Sequence, residues 1–242
     1  MQNINKIING KQYAKNLLKE IFPLSNHYSK KFLRNPCLAV ILVGEDPASK
    51  IYVKNKILTA QKNNITSVEI KLPIETSEEH LLNEICKLNK DTNVDGILVQ
   101  LPLPLHISEK LIIQSIDPFK DVDGFHPINF GKLLMGDPNF VPCTPLGCFY
   151  MLKKELNELD GKNAVIIGRS NIVGKPMASL LLSSNCTVTI THSKTKSLKE
   201  HCNNADILIS AIGRPEMIDD TYIKPNTIII DVGINRLKLD DA

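Results

Sequence analysis

The chain has 242 residues, 43% of them hydrophobic, enough to bury a core in one large domain or two modest ones. Lys and Arg number 29 against 26 Asp and Glu, and the resulting formal charge of +3 is too even to point to a nucleic-acid partner. No apolar run reaches the length of a membrane span, and the polar start Met1-Gln-Asn-Ile-Asn-Lys6 lacks a signal-peptide core.

In chain order, Cys37–Val43 reads as a short apolar strand. Asp46 and Pro47 then suit the N-cap and first position of a helix reaching about Asn63. Ser67–Leu72 reads as a strand, Ser77–Leu88 as a helix, Gly96–Gln100 as a strand and Ile107–Ile116 as a helix. Residues 117–145, rich in Pro, Gly, Asp and Asn, read as irregular and mark the best domain boundary. Beyond them come helix Leu146–Leu156, strand Ala164–Gly168, helix Val173–Leu182 and strand Thr187–Ile190. A short helix over Ser197–Asn203 and strands at Asp206–Ala211 and Thr227–Val232 follow. Continuous Val/Ile/Leu strands alternating with helices predict parallel sheets covered on both faces. The expected fold class is therefore α/β, with two α/β domains over residues 1–142 and 143–242, and no internal repeat. The six cysteines, at 37, 86, 143, 148, 186 and 202, form no Cys-x-x-Cys pair and read as reduced, mostly buried thiols of a cytosolic protein.

A strand runs into Gly168-Arg169-Ser170-Asn171-Ile172-Val173-Gly174-Lys175-Pro176 and then into an apolar helix. Such a turn aims backbone N–H groups and a helix dipole at a phosphate. Ser170 stands where G-x-G-x-x-G has its second glycine. Gly168 permits the tight turn, Gly174 the close helix–strand packing, and Ser170 can donate a hydroxyl hydrogen bond. An NAD site would place a carboxylate at the end of the next strand, about 20 residues on, to bind the ribose 2′-hydroxyl. This chain has Thr191-His192-Ser193-Lys194-Thr195 there. Taken alone, Lys194 and Arg169 are ordinary surface residues; their paired positions favour a 2′-phosphate, and hence NADP over NAD.

In the first half, Tyr52 and Lys56 stand four apart and share a helix face. Such a pair is common on solvated helices, and a lysine acts as a base only when burial or nearby cations lower its pKa. Asp95-Gly-Ile-Leu-Val-Gln100 ends a buried strand on a polar residue before a Pro-rich loop, the place where ligands bind in parallel sheets. In Lys120-Asp121-Val122-Asp123-Gly124, two carboxylates lie two apart. Without further ligands at suitable spacing they do not make a metal site, and one of them can clamp the N–H groups of a heterocycle.

These segments together resemble the bifunctional methylenetetrahydrofolate dehydrogenase/methenyltetrahydrofolate cyclohydrolase family. The likeness runs through Val43-Gly-Glu-Asp-Pro-Ala-Ser49, Tyr52-x-x-x-Lys56, Asp95 to Pro104, Lys120 to His126, Pro142-Cys-Thr-Pro145, Gly168 to Pro176 and Asp231-Val-Gly-Ile-Asn235, in family order. It implies tetrahydrofolate one-carbon derivatives as substrates, NADP as cofactor and a homodimer formed through the second domain, alongside the absence of a metal and the cytoplasmic location already read from the residues. It implies folate in a cleft between the domains, its pterin held by Asp123 and its ring near Tyr52. It implies Lys56 as the proton-handling group, tuned by Gln100 and Tyr52. Gly168, Arg169, Ser170, Val173, Gly174, Ser193, Lys194, Gly233 and Ile234 are the implied cofactor contacts. Two departures stand out. Family members continue into a Gly-rich loop and a last helix, whereas this sequence runs only to Asp240-Asp241-Ala242, and Glu216-Met217 replaces what is often Gly and an aromatic. Two rival readings are a folate- or nucleotide-binding remnant without catalysis and a dehydrogenase of the shikimate type. The latter does not account for Tyr52, Lys56 and Gln100 together.

Overall fold

The computed structural model describes residues 7–233. The chain divides into two compact units, residues 1–129 and 130–242.

The first unit is built on β1 (Cys37–Val43), β2 (Thr66–Leu72) and β3 (Gly96–Val99), all parallel in the order β2-β1-β3. Its helices are α1 (Gly10–Phe32), α2 (Pro47–Lys62), α3 (Glu78–Lys90), α4 (Glu109–Ser115) and the start of α5 (Pro127–Leu134). Strand residues alternate between two apolar layers, as the pleat requires. Ala39, Ile41, Val43, Ile97 and Val99 pack with Leu81, Ile85 and Leu88 of α3 and Ile112 of α4. Val40, Leu42 and Leu98 pack on the opposite face with Val53 and Ile57 of α2 and with Val122. Burial on both faces explains why the strands read as unbroken apolar runs. Asp46 caps α2 by accepting from the Ser49 N–H at 2.8 Å, with Pro47 in the first turn.

The second unit carries β4 (Asn163–Ile167), β5 (Thr187–Thr191), β6 (Ile207–Ser210) and β7 (Ile228–Asp231), parallel in the order β5-β4-β6-β7. Its helices include α6 (Cys143–Glu155), α7 (Gly174–Leu182) and α8 (Leu198–Asn203). Ala164, Ile166, Ile207 and Ile209 face α6 and α7; Val165, Ile167 and Leu208 face Cys202 of α8. All six cysteines are free, with Cys37, Cys148, Cys186 and Cys202 buried and Cys86 and Cys143 exposed. Burial pushes the Cys148 thiol up to about 11.

Strand positions agree with expectation to within about a residue at each end. Three helical features correct it. First, α1 has no expected counterpart. Pro23 and a lysine-rich surface mask its helical period, yet Asn9 caps it by accepting from the Gln12 N–H at 3.1 Å. Second, α5 lies inside the segment expected to be irregular; Pro127 occupies its first position, and His126 Nδ1 accepts the Ile128 N–H at 3.1 Å. Third, α6 begins at Cys143 rather than Leu146 because Pro145 is tolerated in its first turn.

The chain between α1 and β1 is tied to the start of β3 by a charged cluster. Arg34 donates to both Asp95 oxygens at 2.7 and 2.8 Å, Tyr28 Oη to Oδ1 at 2.7 Å and the Cys37 N–H to Oδ2 at 2.8 Å. Burial alone would raise the Asp95 carboxyl, but the bonds from Arg34, Tyr28 and Cys37 overcome it and hold the pKa at about 2. A free aspartate titrates near 3.9. The cluster therefore contributes stability that is complete above about pH 4 and is lost as the pH falls toward 2. Asp95→Asn is expected to lower stability at neutral pH by about 1–2 kcal/mol, allowing for the solvent that reaches the pair. It should also flatten this acid limb. Urea unfolding at pH 7 and pH 3 checks both, and an unchanged midpoint at pH 7 would contradict the assignment.

Candidate functional site

In each sheet the chain reverses its direction of strand addition beside the first strand, between β1 and β3 and again between β4 and β6. Crevices outside the carboxyl ends at such points are where α/β sheets bind ligands.

At the first of these, the Gln100 N–H donates to Ile41 O at 2.9 Å, so Gln100 sits just past β3 on the edge of β1. Lys56 Nζ donates to Gln100 Oε1 at 3.2 Å, and Gln100 Nε2 donates to Leu101 O at 2.6 Å. The second bond settles the amide orientation, because only the oxygen is left to face the ammonium. Lys56 is half-buried, and Tyr52, one turn earlier on α2, is 44% exposed. Asp123 lies near enough to feel the Lys56 charge. Burial pushes its carboxyl up, Lys56 pulls it down and Asp121 adds to the rise. Tyr52, Lys56, Gln100 and Asp123 thus all belong to the first unit, on α2, at the end of β3 and on the loop beyond α4.

The two loop carboxylates, equivalent in the sequence, are not equivalent in the structure. Asp121 is only 1% exposed. Its Oδ2 accepts from the His126 N–H and from Asn129 Nδ2, both at 2.8 Å. Asp123 makes no hydrogen bond among the described residues. Spacing alone does not reveal the contacts of His126, Asn129 and Asp121, which form only when the loop closes on α5.

At the second crevice the Gly168 N–H donates to Thr191 O at 2.9 Å, bringing the glycine turn against the end of β5. Gly168 has φ +124°, and a Cβ there would lie 2.5 Å from Ala211 O at the end of β6. A Cβ on Gly174 would lie 2.2 Å from Gly168 O. Both positions therefore require glycine, as a turn that brings backbone N–H groups close to a phosphate does. Ser170 Oγ accepts from the N–H groups of Val173 and Gly174 at 3.1 and 3.4 Å, which caps α7 and leaves the hydroxyl proton able to donate outward. Arg169, Ser170, Ser193 and Lys194 are all exposed at the ends of β4 and β5. The turn after β5 is closed by His192 N–H to Thr195 Oγ1 at 2.9 Å and Lys194 N–H to His192 Nδ1 at 3.1 Å. No carboxylate stands between Thr191 and Lys196. A close-packed glycine turn with exposed cations and hydroxyls is a donor set suited to the phosphates of NADP.

Residues 8–123 match the model of the tetrahydrofolate dehydrogenase/cyclohydrolase catalytic domain, and residues 142–242 that of the family's NAD(P)-binding domain. The chain belongs to the tetrahydrofolate dehydrogenase/cyclohydrolase family. A bifunctional protein FolD from Rhodospirillum centenum is 52% identical over 236 residues, covering 98% of this chain and 78% of that protein. The crystal structure of a bifunctional FolD methylenetetrahydrofolate dehydrogenase/cyclohydrolase from Campylobacter jejuni superposes with a TM-score of 0.92 at 46% identity, covering 96% of this chain and 82% of that one. The Trypanosoma brucei family member, solved with NADP cofactor and an inhibitor, gives 0.90 at 33% identity, covering 94% and 78%.

Of the remaining expected family contacts, Gly233 follows β7, its N–H donating to Asp231 Oδ1 at 2.8 Å, and Ile234 lies outside the described residues. Glu216 adopts φ +54°, the left-handed region in which a glycine sits without strain. No helix among the described residues is long and apolar enough to cross a membrane.

Proposed function

We propose that the protein oxidises 5,10-methylenetetrahydrofolate to 5,10-methenyltetrahydrofolate and hydrolyses that product to 10-formyltetrahydrofolate. The observation that carries the reading is the meeting of Lys56 with Gln100 at 3.2 Å, with Asp123 nearby, at the carboxyl edge of the first sheet. Residues 1–142 would form the folate-binding catalytic domain and residues 143–242 the NADP-binding domain.

The first step removes a hydride, with its electron pair, from the carbon bridging N5 and N10, and leaves that carbon cationic. NADP, when bound, supplies the acceptor for the hydride. In the second step water adds to the cationic carbon; as the bond from that carbon to N5 breaks, the oxygen becomes the formyl carbonyl on N10, one water proton ends on N5 and the other is released. Lys56 is the group placed to move that proton, with Gln100 holding its Nζ and Tyr52 walling the folate ring on the same helix face. The Asp123 carboxyl, half-buried and without a hydrogen bond among the described residues, is suited to accept from pterin N–H groups. Arg169, Ser193 and Lys194 would hold the 2′-phosphate, while Ser170 and the turn through Gly168, Val173 and Gly174 would hold the diphosphate. Gly233 and Ile234 would border the same cofactor.

The near-even charge and the six free cysteines fit a cytoplasmic protein acting on small molecules rather than nucleic acid. A homodimer through the second domain is the accompanying assembly.

Supplying methylenetetrahydrofolate with either cofactor tests the reading. Reduced cofactor should appear with NADP far ahead of NAD. Arg169→Ala combined with Lys194→Ala should raise the NADP KM about tenfold or more while changing the NAD KM little, because only NADP carries the extra phosphate. A parent enzyme that prefers NAD would contradict the 2′-phosphate assignment.

A further inference from the structure

We propose that Asp121 is a positioning residue that fixes the Asp123 carboxyl beside Lys56, and that Val122 seated over Gly96 is the second half of the same clamp. The inference rests on the reading of Asp123 as the pterin-binding carboxylate.

Asp123 makes no hydrogen bond of its own among the described residues, so the backbone on either side of it must set its place. That backbone is pinned at several points. The Ile97 N–H donates to Lys120 O at 2.7 Å, and Ile97 bridges to Asp121 in parallel pairing, so residues 120–121 extend the sheet beside β3. Lys120 Nζ donates to Leu88 O at 2.9 Å and Asp91 O at 2.7 Å, which anchors the loop to the end of α3. The loop then turns at once, with the Gly124 N–H donating to Asp121 O at 3.1 Å and Gly124 at φ +66°.

The Asp121 side chain locks this turn from inside. Its Oδ2 holds the His126 N–H, beyond the turn, and Asn129 Nδ2, on α5. Asn129 is fully buried, and the same nitrogen also donates to Pro118 O at 2.8 Å, ahead of the turn. One buried carboxylate and one buried amide therefore join both limbs of the loop that carries Asp123. On the other side a Cβ at Gly96 would stand 2.4 Å from Val122 Cγ1, so the missing side chain is the space that Val122 occupies. An anionic group buried to this degree is costly unless it is well bonded. That bonding is supplied by the His126 N–H and Asn129 Nδ2, from beyond the turn.

The test is steady-state dehydrogenase kinetics of the full chain with both substrates varied, together with thermal unfolding. Asp121→Ala should raise the KM for methylenetetrahydrofolate about tenfold to hundredfold, the scale expected when a binding group is misplaced by about 1 Å. The KM for NADP should not change. Asp121→Asn, whose amide oxygen can accept both bonds, should recover most of the folate KM. If both substitutions lower only the unfolding temperature and leave the folate KM as in the parent, Asp121 is a structural residue and the proposal is wrong. If Asp121→Ala does not fold, Val122→Ala carries the same test, since it empties the notch over Gly96 without touching a charge. A several-fold rise in folate KM is expected there, and an unchanged value overturns the clamp. Asp123→Asn separates the two levels of inference. No change in folate KM for that variant would discard the reading of Asp123 itself. A large rise there, with none for Asp121→Ala, would discard only the clamp.

Discussion

Lys56→Met is expected to slow hydrolysis of methenyltetrahydrofolate by about 10²–10⁴-fold, the range associated with loss of a positioned proton-transfer group. Hydride transfer to NADP should suffer much less, because the carbon–hydrogen bond breaks without a proton moving to or from the protein. Methionine keeps most of the length and packing of the lysine stem and removes only the amine. The change also removes the 3.2 Å bond to Gln100 Oε1, but Gln100 keeps its 2.6 Å bond to Leu101 O, so the amide stays in place. Burial and Asp121 already raise the Asp123 carboxyl, and loss of the Lys56 charge removes the one influence that lowers it. Folate binding through that carboxylate should then weaken at mildly acidic pH before it does so in the parent enzyme. Following both reactions in one assay, reduced cofactor against disappearance of the methenyl chromophore, decides the matter. Equal loss of the two activities would remove Lys56 from a specific role in hydrolysis.

Gly174→Ala is expected to damage the glycine turn of the second unit severely. The added Cβ would meet Gly168 O at 2.2 Å, Gly168 C at 2.7 Å and Arg169 Cα at 3.0 Å. These are backbone atoms at the end of β4 and cannot swing aside as a flexible side chain would. Overpacking in a well-filled site costs about 1–3 kcal/mol, and a clash with backbone belongs at the upper end. Relief requires α7 to move away from β4, which carries the N–H groups of Val173 and Gly174 away from Ser170 Oγ. NADP affinity should fall by at least about tenfold, the equivalent of roughly 1.4 kcal/mol. Gly147→Ala in α6 serves as the control, because nothing lies within 4 Å of its added Cβ. A helix gains up to about 1 kcal/mol from that exchange. Calorimetric titration with NADP and urea unfolding of both variants provide the comparison, and a Gly174→Ala protein that binds NADP like its parent would refute the argument.

Much of this was readable before any coordinates. Strands β1, β3, β4 and β6 announce themselves as unbroken Val/Ile/Leu runs because both faces of each sheet are covered. Asp46-Pro47 marks the start of α2 through local capping chemistry, and the i, i+4 spacing of Tyr52 and Lys56 follows once that helix is placed. Helix α1 was not readable. Only one of its residues, Ser25, is buried, and its hold on the unit comes from distant partners, with Ser25 bonded to Asn63 O and Tyr28 to Asp95. The turn residues of 117–145 likewise hid α5, whose cap is a histidine ring rather than a Ser, Asp or Asn.

The sequence by itself determined the α/β class and the glycine turn with its cationic neighbours. Those properties reside in local spacing and local chemistry. Only the tertiary structure shows how differently Asp121 and Asp123 are surrounded. The two are chemically identical and two residues apart, and what separates them is non-local. Pairing of the loop with Ile97, the seat of Val122 over Gly96 and the donors at His126 and Asn129 bury one carboxylate among hydrogen bonds and leave the other half-buried within the influence of the Lys56 charge. Burial and hydrogen bonding set a carboxylate's role, and both depend on residues that the chain brings together only when it folds.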